Sequence, residues 1–223
     1  MAVADVSRSD VSAGSPTRFR WRALAWATAQ QTHEGGFVLF LNNNGIAYPN
    51  DPFPNRLFVG AKRVISFAES PDVFQTLYDA HRSKPSYLVG YFGYDLKNQL
   101  EALESRNPDR LGFPDAYFVE PEWVIDFEGD EVIVRGENAG QVADSIREFT
   151  LSPASVMKTP VSQCRVSPDE YSANVRRIQA HIRAGDVYEL NYCIEFFLEN
   201  AQLTPLATYQ ALNDRLHAIS KLR

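Results

Sequence analysis

The chain reads as an α+β protein, and three stretches carry that reading. Trp123 to Phe127 and Glu131 to Arg135 are strand-like runs joined by Glu128-Gly129-Asp130, a hairpin signal. Tyr87 to Tyr91 is a short apolar run beside Gly93, with Gly90 within it, which marks a buried strand with close backbone approach. Ser167-Pro168-Asp169-Glu170 joins a capping box to a proline at the first helical position. Tyr171, Val175, Ile178 and Ile182 then form the apolar face of a helix that Gly185 ends.

The remaining elements follow from local chemistry. Met1 to about Arg18 is polar and reads as a disordered tail, and residues 19–150 form the first domain. Phe37 to Leu41 is a strand ending in the turn Asn42 to Gly45, and Pro49, Pro52 and Pro54 keep the chain irregular up to Arg56. Arg63 to Phe67 resumes strand character. Ser70-Pro71 opens a helix with Val73, Phe74, Leu77 and Tyr78 on one face. Leu96, Leu100 and Leu103 recur at helical spacing up to Asn107-Pro108. Ala116 to Val119 is a strand, and Gln141 to Phe149 a short helix. The Ser-, Thr- and Pro-rich stretch 151–166 is a linker, and 167–223 begins a second domain. There, Val187 to Phe196 alternates as a strand, with Tyr188, Leu190, Tyr192, Ile194 and Phe196 on one side. Thr204-Pro205 starts a last helix with Leu206, Tyr209, Leu212, Leu216 and Ile219 inward.

Composition narrows the function classes. A net charge of -6 argues against a nucleic-acid surface, which needs clustered Lys and Arg. Two cysteines, Cys164 and Cys193, fit a reducing compartment and no disulfide scaffold. No apolar run reaches the roughly 20 residues of a membrane span, so the expectation is a soluble cytoplasmic protein. His33, His81, His181 and His217 lack metal or triad spacing. Glu189 and Glu195 stand roughly 20 Å apart along a strand, too far to cooperate as acid and base. They and Asn191 instead read as a half-exposed strand face or as cavity lining. Gly90-Tyr91-Phe92-Gly93 lacks the third glycine of a dinucleotide loop. The residues alone define no reaction.

Resemblance adds one. Ile182-Arg-Ala-Gly-Asp-Val-Tyr-Glu-Leu-Asn-Tyr-Cys-Ile-Glu-Phe196 resembles the segment that opens the chorismate-binding domain of the component I family, which includes aminodeoxychorismate synthase and anthranilate synthase. Gly185, Asp186, Tyr188, Asn191 and Phe196 match, while Glu189, Cys193 and Glu195 replace the usual Gln, Ser and Arg. Leu203 to Tyr209 is similar to the next helix start, and Leu88 to Leu96 to the Gly-Tyr-x-x-Tyr-Asp segment of the N-terminal domain.

The resemblance implies a twisted antiparallel β-sheet system with outer helices, the C-terminal domain being incomplete at Arg223. It implies an amino-acid pocket, tryptophan being the usual occupant, near Leu41-Asn42-Asn43 and Arg56, where Asn43 replaces the expected Ser. That departure and the Tyr94-Asp95-Leu96 form favour aminodeoxychorismate synthase over anthranilate synthase. Glu189 and Asn191 become candidate lining of the substrate cavity. Catalytic and metal residues are expected downstream of Arg223, so none is assigned, and the chain alone is expected to be inactive. In the full-length parent, Mg²⁺ would neutralise the chorismate carboxylate and assist loss of the ring hydroxyl. Ammonia from a glutamine amidotransferase subunit would then add to give 4-amino-4-deoxychorismate. The alternatives are anthranilate synthase component I and a non-catalytic module that binds an amino acid or a partner.

Overall fold

The computed structural model describes residues 8–9, 16–30, 36–43, 55–65, 67, 72–104, 108–128, 131–150 and 161–220. Within these, the chain divides into two compact units, Met1–Ser152 and Pro153–Arg223. His33, Gly45, Ser70, Pro71, Asn107 and the hairpin tip Gly129-Asp130 lie outside the described residues, as do the prolines at 49, 52 and 54 and the stretch 151–160.

The first unit is built on two antiparallel sheets. The larger contains β1 (Arg8–Ser9), β2 (Val38–Leu41), β3 (Asn55–Val59), β7 (Trp123–Glu128) and β8 (Glu131–Gly136), in the order β1-β8-β7-β3-β2. The smaller contains β4 (Arg63–Ile65), β5 (Val89–Phe92) and β6 (Ala116–Glu120), in the order β4-β6-β5. The helices are α1 (Pro16–Gln30), α2 (Val73–Ser83) and α3 (Ala139–Glu148). The α+β class with antiparallel sheets and outer helices is therefore the architecture found.

Alternation along the strands assigns the faces. Leu57, Ile125 and Val134 stand opposite one another across β3, β7 and β8 and are all buried. Trp123 shares their face and meets Trp26 of α1 edge to face at 6.2 Å, so α1 and α3 cover this side with Leu24, Ala27, Val142 and Ile146. The opposite face carries Arg56, Phe58 and Asp126, and it turns toward the smaller sheet, where Phe58 lies 5.8 Å from Tyr87 and Phe37 lies 6.2 Å from Tyr117. The far side of the smaller sheet is covered by α2. Val73, Leu96 and Ala116 cluster there with Phe67, and Phe92 bridges Phe74 and Phe118. Gly90 is required at this point, since a Cβ on it would lie 1.9 Å from the Tyr117 carbonyl oxygen.

Several elements depart from the sequence expectations. β3 was expected to be irregular up to Arg56, yet it starts at Asn55 and is the inner strand between β2 and β7; it has room to pair once the prolines end. α1 carries no clear apolar stripe; its alanines Ala23 and Ala27 are fully buried and let the helix approach its neighbours closely. In α2 the cap is Asp72, whose carboxylate accepts the Gln75 N–H at 2.9 Å, and of the four expected face residues only Val73 is buried. Leu96, Leu100 and Leu103 do not form one helix: a 3₁₀ turn spans Tyr94–Gln99, burying Leu96 and leaving Leu100 exposed.

An ion cluster pins the end of α2 to the smaller sheet. Arg63 donates to the Ala80 and Lys84 carbonyls at the helix C-terminus, at 3.3 and 3.4 Å, and to Ser86 Oγ at 3.1 Å. Its Nε lies 3.2 Å from Glu120, close enough to attract but not aligned for a hydrogen bond, and Lys84 Nζ reaches the same carboxylate at 3.2 Å. Burial is the largest single influence on Glu120 and opposes its ionisation. The hydrogen bond and charge of Lys84, a hydrogen bond from Ser86 and the charge of Arg63 together outweigh it, so the carboxyl is held below its usual value. A depressed acid stabilises the fold above its unfolded value, about 4.3 for glutamate, and loses that contribution as pH falls through the folded value. The thermal midpoint should therefore drop below about pH 4, and Glu120→Gln should flatten this part of the profile in calorimetric scans. An unchanged profile in the variant would remove Glu120 from the account.

The second unit contains β9 (Gln163–Cys164), α4 (Pro168–Ala184), β10 (Phe196–Phe197) and α5 (Pro205–Ser220). α4 starts and stops as its sequence dictates: Ser167 Oγ accepts the Glu170 N–H at 3.2 Å, and Gly185 ends the helix in the left-handed region at φ 82°. The expected strand from Val187 is not formed. Only Phe196–Phe197 pairs, with Gln163–Cys164, because the alternating segment before it meets no ladder partner among the described residues. None of the residues 161–216 is buried: Leu212 and Leu216 face solvent, as do Tyr171 and Ile182.

Candidate functional site

In the first unit the candidates Asn43 and Arg56 are brought together. Leu41 stands opposite Arg56 across β2 and β3, and just beyond it the Asn43 N–H donates to Asn55 Oδ1 at 2.9 Å. Arg56 in turn stands opposite Asp126 of β7, on the face turned toward the smaller sheet. Its Nε and one terminal nitrogen hold the two carboxylate oxygens of Asp126, the second at 3.2 Å, while its other terminal nitrogen donates to the Tyr87 hydroxyl. Arg135, one diagonal step away on β8, donates to Asp126 as well.

Asp126 is fully buried, so one carboxylate sits between two guanidinium groups. Buried charge is tolerated where it is paired and hydrogen-bonded, and both conditions hold. Arg56 is held in its charged form more firmly than an ordinary arginine. The hydrogen bond to Asp126 dominates, burial pulls the other way, and the charge of Asp126 and the contact with Tyr87 add to the first effect. The Tyr87 ring packs at 5.7 Å beside the guanidinium. The cluster carries one excess positive charge, a chemistry suited to an anion such as a carboxylate.

Asp126, Arg135 and Tyr87 were not singled out from sequence. The available signal was an aspartate inside the apolar run Trp123 to Phe127, a residue type that is depleted in strands. Its partner on β3 could not be read because β3 itself was missed.

In the second unit, Glu189 and Asn191 lie in the segment between α4 and β10 and are both exposed. Glu195 accepts from Arg165 Nε at 3.0 Å, and the Arg165 guanidinium lies 3.6 Å over the Phe197 ring. His181 faces Asp186 of the Gly-Asp pair, with Nδ1 2.7 Å from the carboxylate. No group of three or more His, Cys, Asp or Glu able to hold a metal ion occurs among the described residues. No described helix is long and apolar enough to cross a membrane.

The first unit's antiparallel sheets with outer helices make an α+β protein, and the second unit carries the Gly185-Asp186 turn with Tyr188 and Asn191 beyond it. The sequence model of chorismate binding enzymes matches residues 23–219, and the chain belongs to that family. It is 29% identical over 169 residues to the anthranilate synthase component 1 of Thermus thermophilus, a match covering 65% of this chain and 36% of that protein. It is 28% identical over 148 residues to the anthranilate synthase component 1 of Cereibacter sphaeroides, covering 56% of this chain and 29% of that one. The aminodeoxychorismate synthase component 1 of Klebsiella aerogenes is 30% identical over 112 residues, covering 48% and 25%. The matched region thus spans between a quarter and just over a third of each of these curated relatives.

Proposed function

We propose that the chain is part of an aminodeoxychorismate synthase component I, which aminates chorismate to 4-amino-4-deoxychorismate with ammonia from a glutamine amidotransferase subunit. The observation that carries this reading is the Gly185-Asp186 turn closing α4, with Tyr188 and Asn191 of the family pattern beyond it, inside the region matched to chorismate binding enzymes. Glu189 and Asn191 are the proposed cavity-lining residues, and Mg²⁺ belongs to the proposal only for the longer parent enzyme. The choice over anthranilate synthase rests on Asn43 in place of the expected Ser and on the Tyr94-Asp95-Leu96 form; Arg56, whose donors already hold Asp126 and Tyr87, adds to it. A tryptophan carboxylate at this place would have to draw on Arg135 or displace Asp126. Asn43 and Arg56 are thus the proposed amino-acid subsite in a weakened form.

The 223 residues by themselves are expected to show no turnover, because none of the described side chains of the second unit is buried enough to orient a substrate away from water. Chorismate, Mg²⁺ and ammonium, with and without the amidotransferase, should give no product with this chain. The longer parent should give 4-amino-4-deoxychorismate without pyruvate. Anthranilate together with pyruvate would instead assign the parent to anthranilate synthase. Turnover by the chain alone would remove the argument from the uncovered second unit.

A further inference from the structure

The chain enters α4 from β9 and returns to the same place at β10. The ladder that joins the two is short: Cys164 stands opposite Phe196 and Gln163 opposite Phe197. An isolated two-stranded pair of this size is marginal in water. Arg165 and Glu195, which close it, are 30 residues apart in sequence, so the ordering of a long excursion also opposes it. Side chains have to supply what the two backbone steps do not.

Arg165 is placed to do so. Its N–H donates to the Glu195 carbonyl at 3.0 Å, which carries the register one step further and sets the two side chains opposite each other. Alternation then puts Gln163, Arg165, Glu195 and Phe197 on one face of the ladder, with Cys164 and Phe196 on the other. Both cross-strand contacts open to Arg165 on that face are made. Its Nε donates to Glu195 Oε2 at 3.0 Å, and its guanidinium carbon lies 3.6 Å from the centre of the Phe197 ring, the diagonal neighbour. A guanidinium can do both at once, stacking its plane on a ring while an edge donates to a carboxylate; an ammonium has no plane to stack. Phe196 is left 64% exposed on the opposite face.

Position 195 is also where the resembled family pattern carries Arg and this chain carries Glu. We propose that the arginine has crossed the ladder: Arg165 is the positioning residue that supplies from the β9 side the guanidinium the pattern places on the β10 side. Glu195 is the counter-ion that holds it over Phe197. The ion pair is kept with its ends exchanged, so an acidic residue at 195 closes the ladder only because 165 is basic. The inference rests on membership of the family and not on which chorismate reaction the parent performs.

Amide exchange read by NMR on the 223-residue chain tests it through the Arg165 N–H, the bond that extends the ladder. Glu195→Arg restores the family residue but sets two guanidinium groups opposite each other, and should lower the protection of this amide about fivefold. The exchanged pair Arg165→Glu/Glu195→Arg should bring it back to within about twofold of the unmodified chain. Arg165→Lys keeps the charge without the planar stack and should fall between the two. The α4 amides should hold their rates in all three variants, which separates the ladder from the helix it encloses. An unprotected Arg165 amide in the unmodified chain would overturn the proposal. So would full protection in Glu195→Arg, or an exchanged pair no better protected than Glu195→Arg alone.

Discussion

Asp126→Asn is expected to cost the first unit about 3 kcal/mol, the largest loss from any single polar substitution in it. The carboxylate is fully buried between Arg56 and Arg135, and its removal leaves two guanidinium groups facing one another across the sheet. Breaking a buried pair typically costs about 3–5 kcal/mol because the surviving charge stays desolvated. The lower end applies, since the Arg135 side chain is 42% exposed and keeps part of its hydration. Urea unfolding followed by tryptophan fluorescence reads this directly, as Trp26 and Trp123 are packed against each other in the same unit. The compensated variant Arg56→Met/Asp126→Leu should recover most of the loss, because an apolar pair of similar volume is often neutral in such a place. A cost below about 1 kcal/mol for Asp126→Asn would mean that the cluster is hydrated, and the picture of a dry ionic centre would have to be withdrawn.

The same cluster shows where the sequence stops being informative. The β7–β8 hairpin was legible because turn residues and strand runs sit side by side, and the paired register indeed continues to Glu128 opposite Glu131. The α4 helix was legible because its start and stop signals are local, Ser167 at one end and Gly185 at the other. β3 was not: five residues following a proline-rich stretch acquire strand character only from β2 and β7 on either side. Arg56 was placed near a possible pocket by resemblance, but its ion partner is 70 residues away in sequence, and no local pattern connects them. The segment after Gly185 failed in the opposite sense. Its alternation is a real strand signal, but a strand is completed by its neighbours, and only Phe196–Phe197 finds one.

The first unit holds its own core, whereas the second displays a chorismate-family motif on a scaffold with no core among the described residues. Leu57, Ile125, Val134 and Ile146 are essentially inaccessible in the one, and residues 161–216 contain no buried position in the other. Core amides exchange only on global opening, while surface segments exchange through small local fluctuations. The expected separation between the two units is therefore about a thousandfold or more in exchange rate.

Hydrogen exchange by mass spectrometry on the intact 223-residue chain measures this most directly. Slow exchange through 55–65, 116–128 and 131–148, with α4 weakly protected and both 187–195 and α5 exchanging near the rate of an unstructured chain, is the predicted result. Protection extending undiminished through 187–216 would contradict it: the second unit would then own a core that the described residues do not show, and the case for an inactive isolated chain would fall with it.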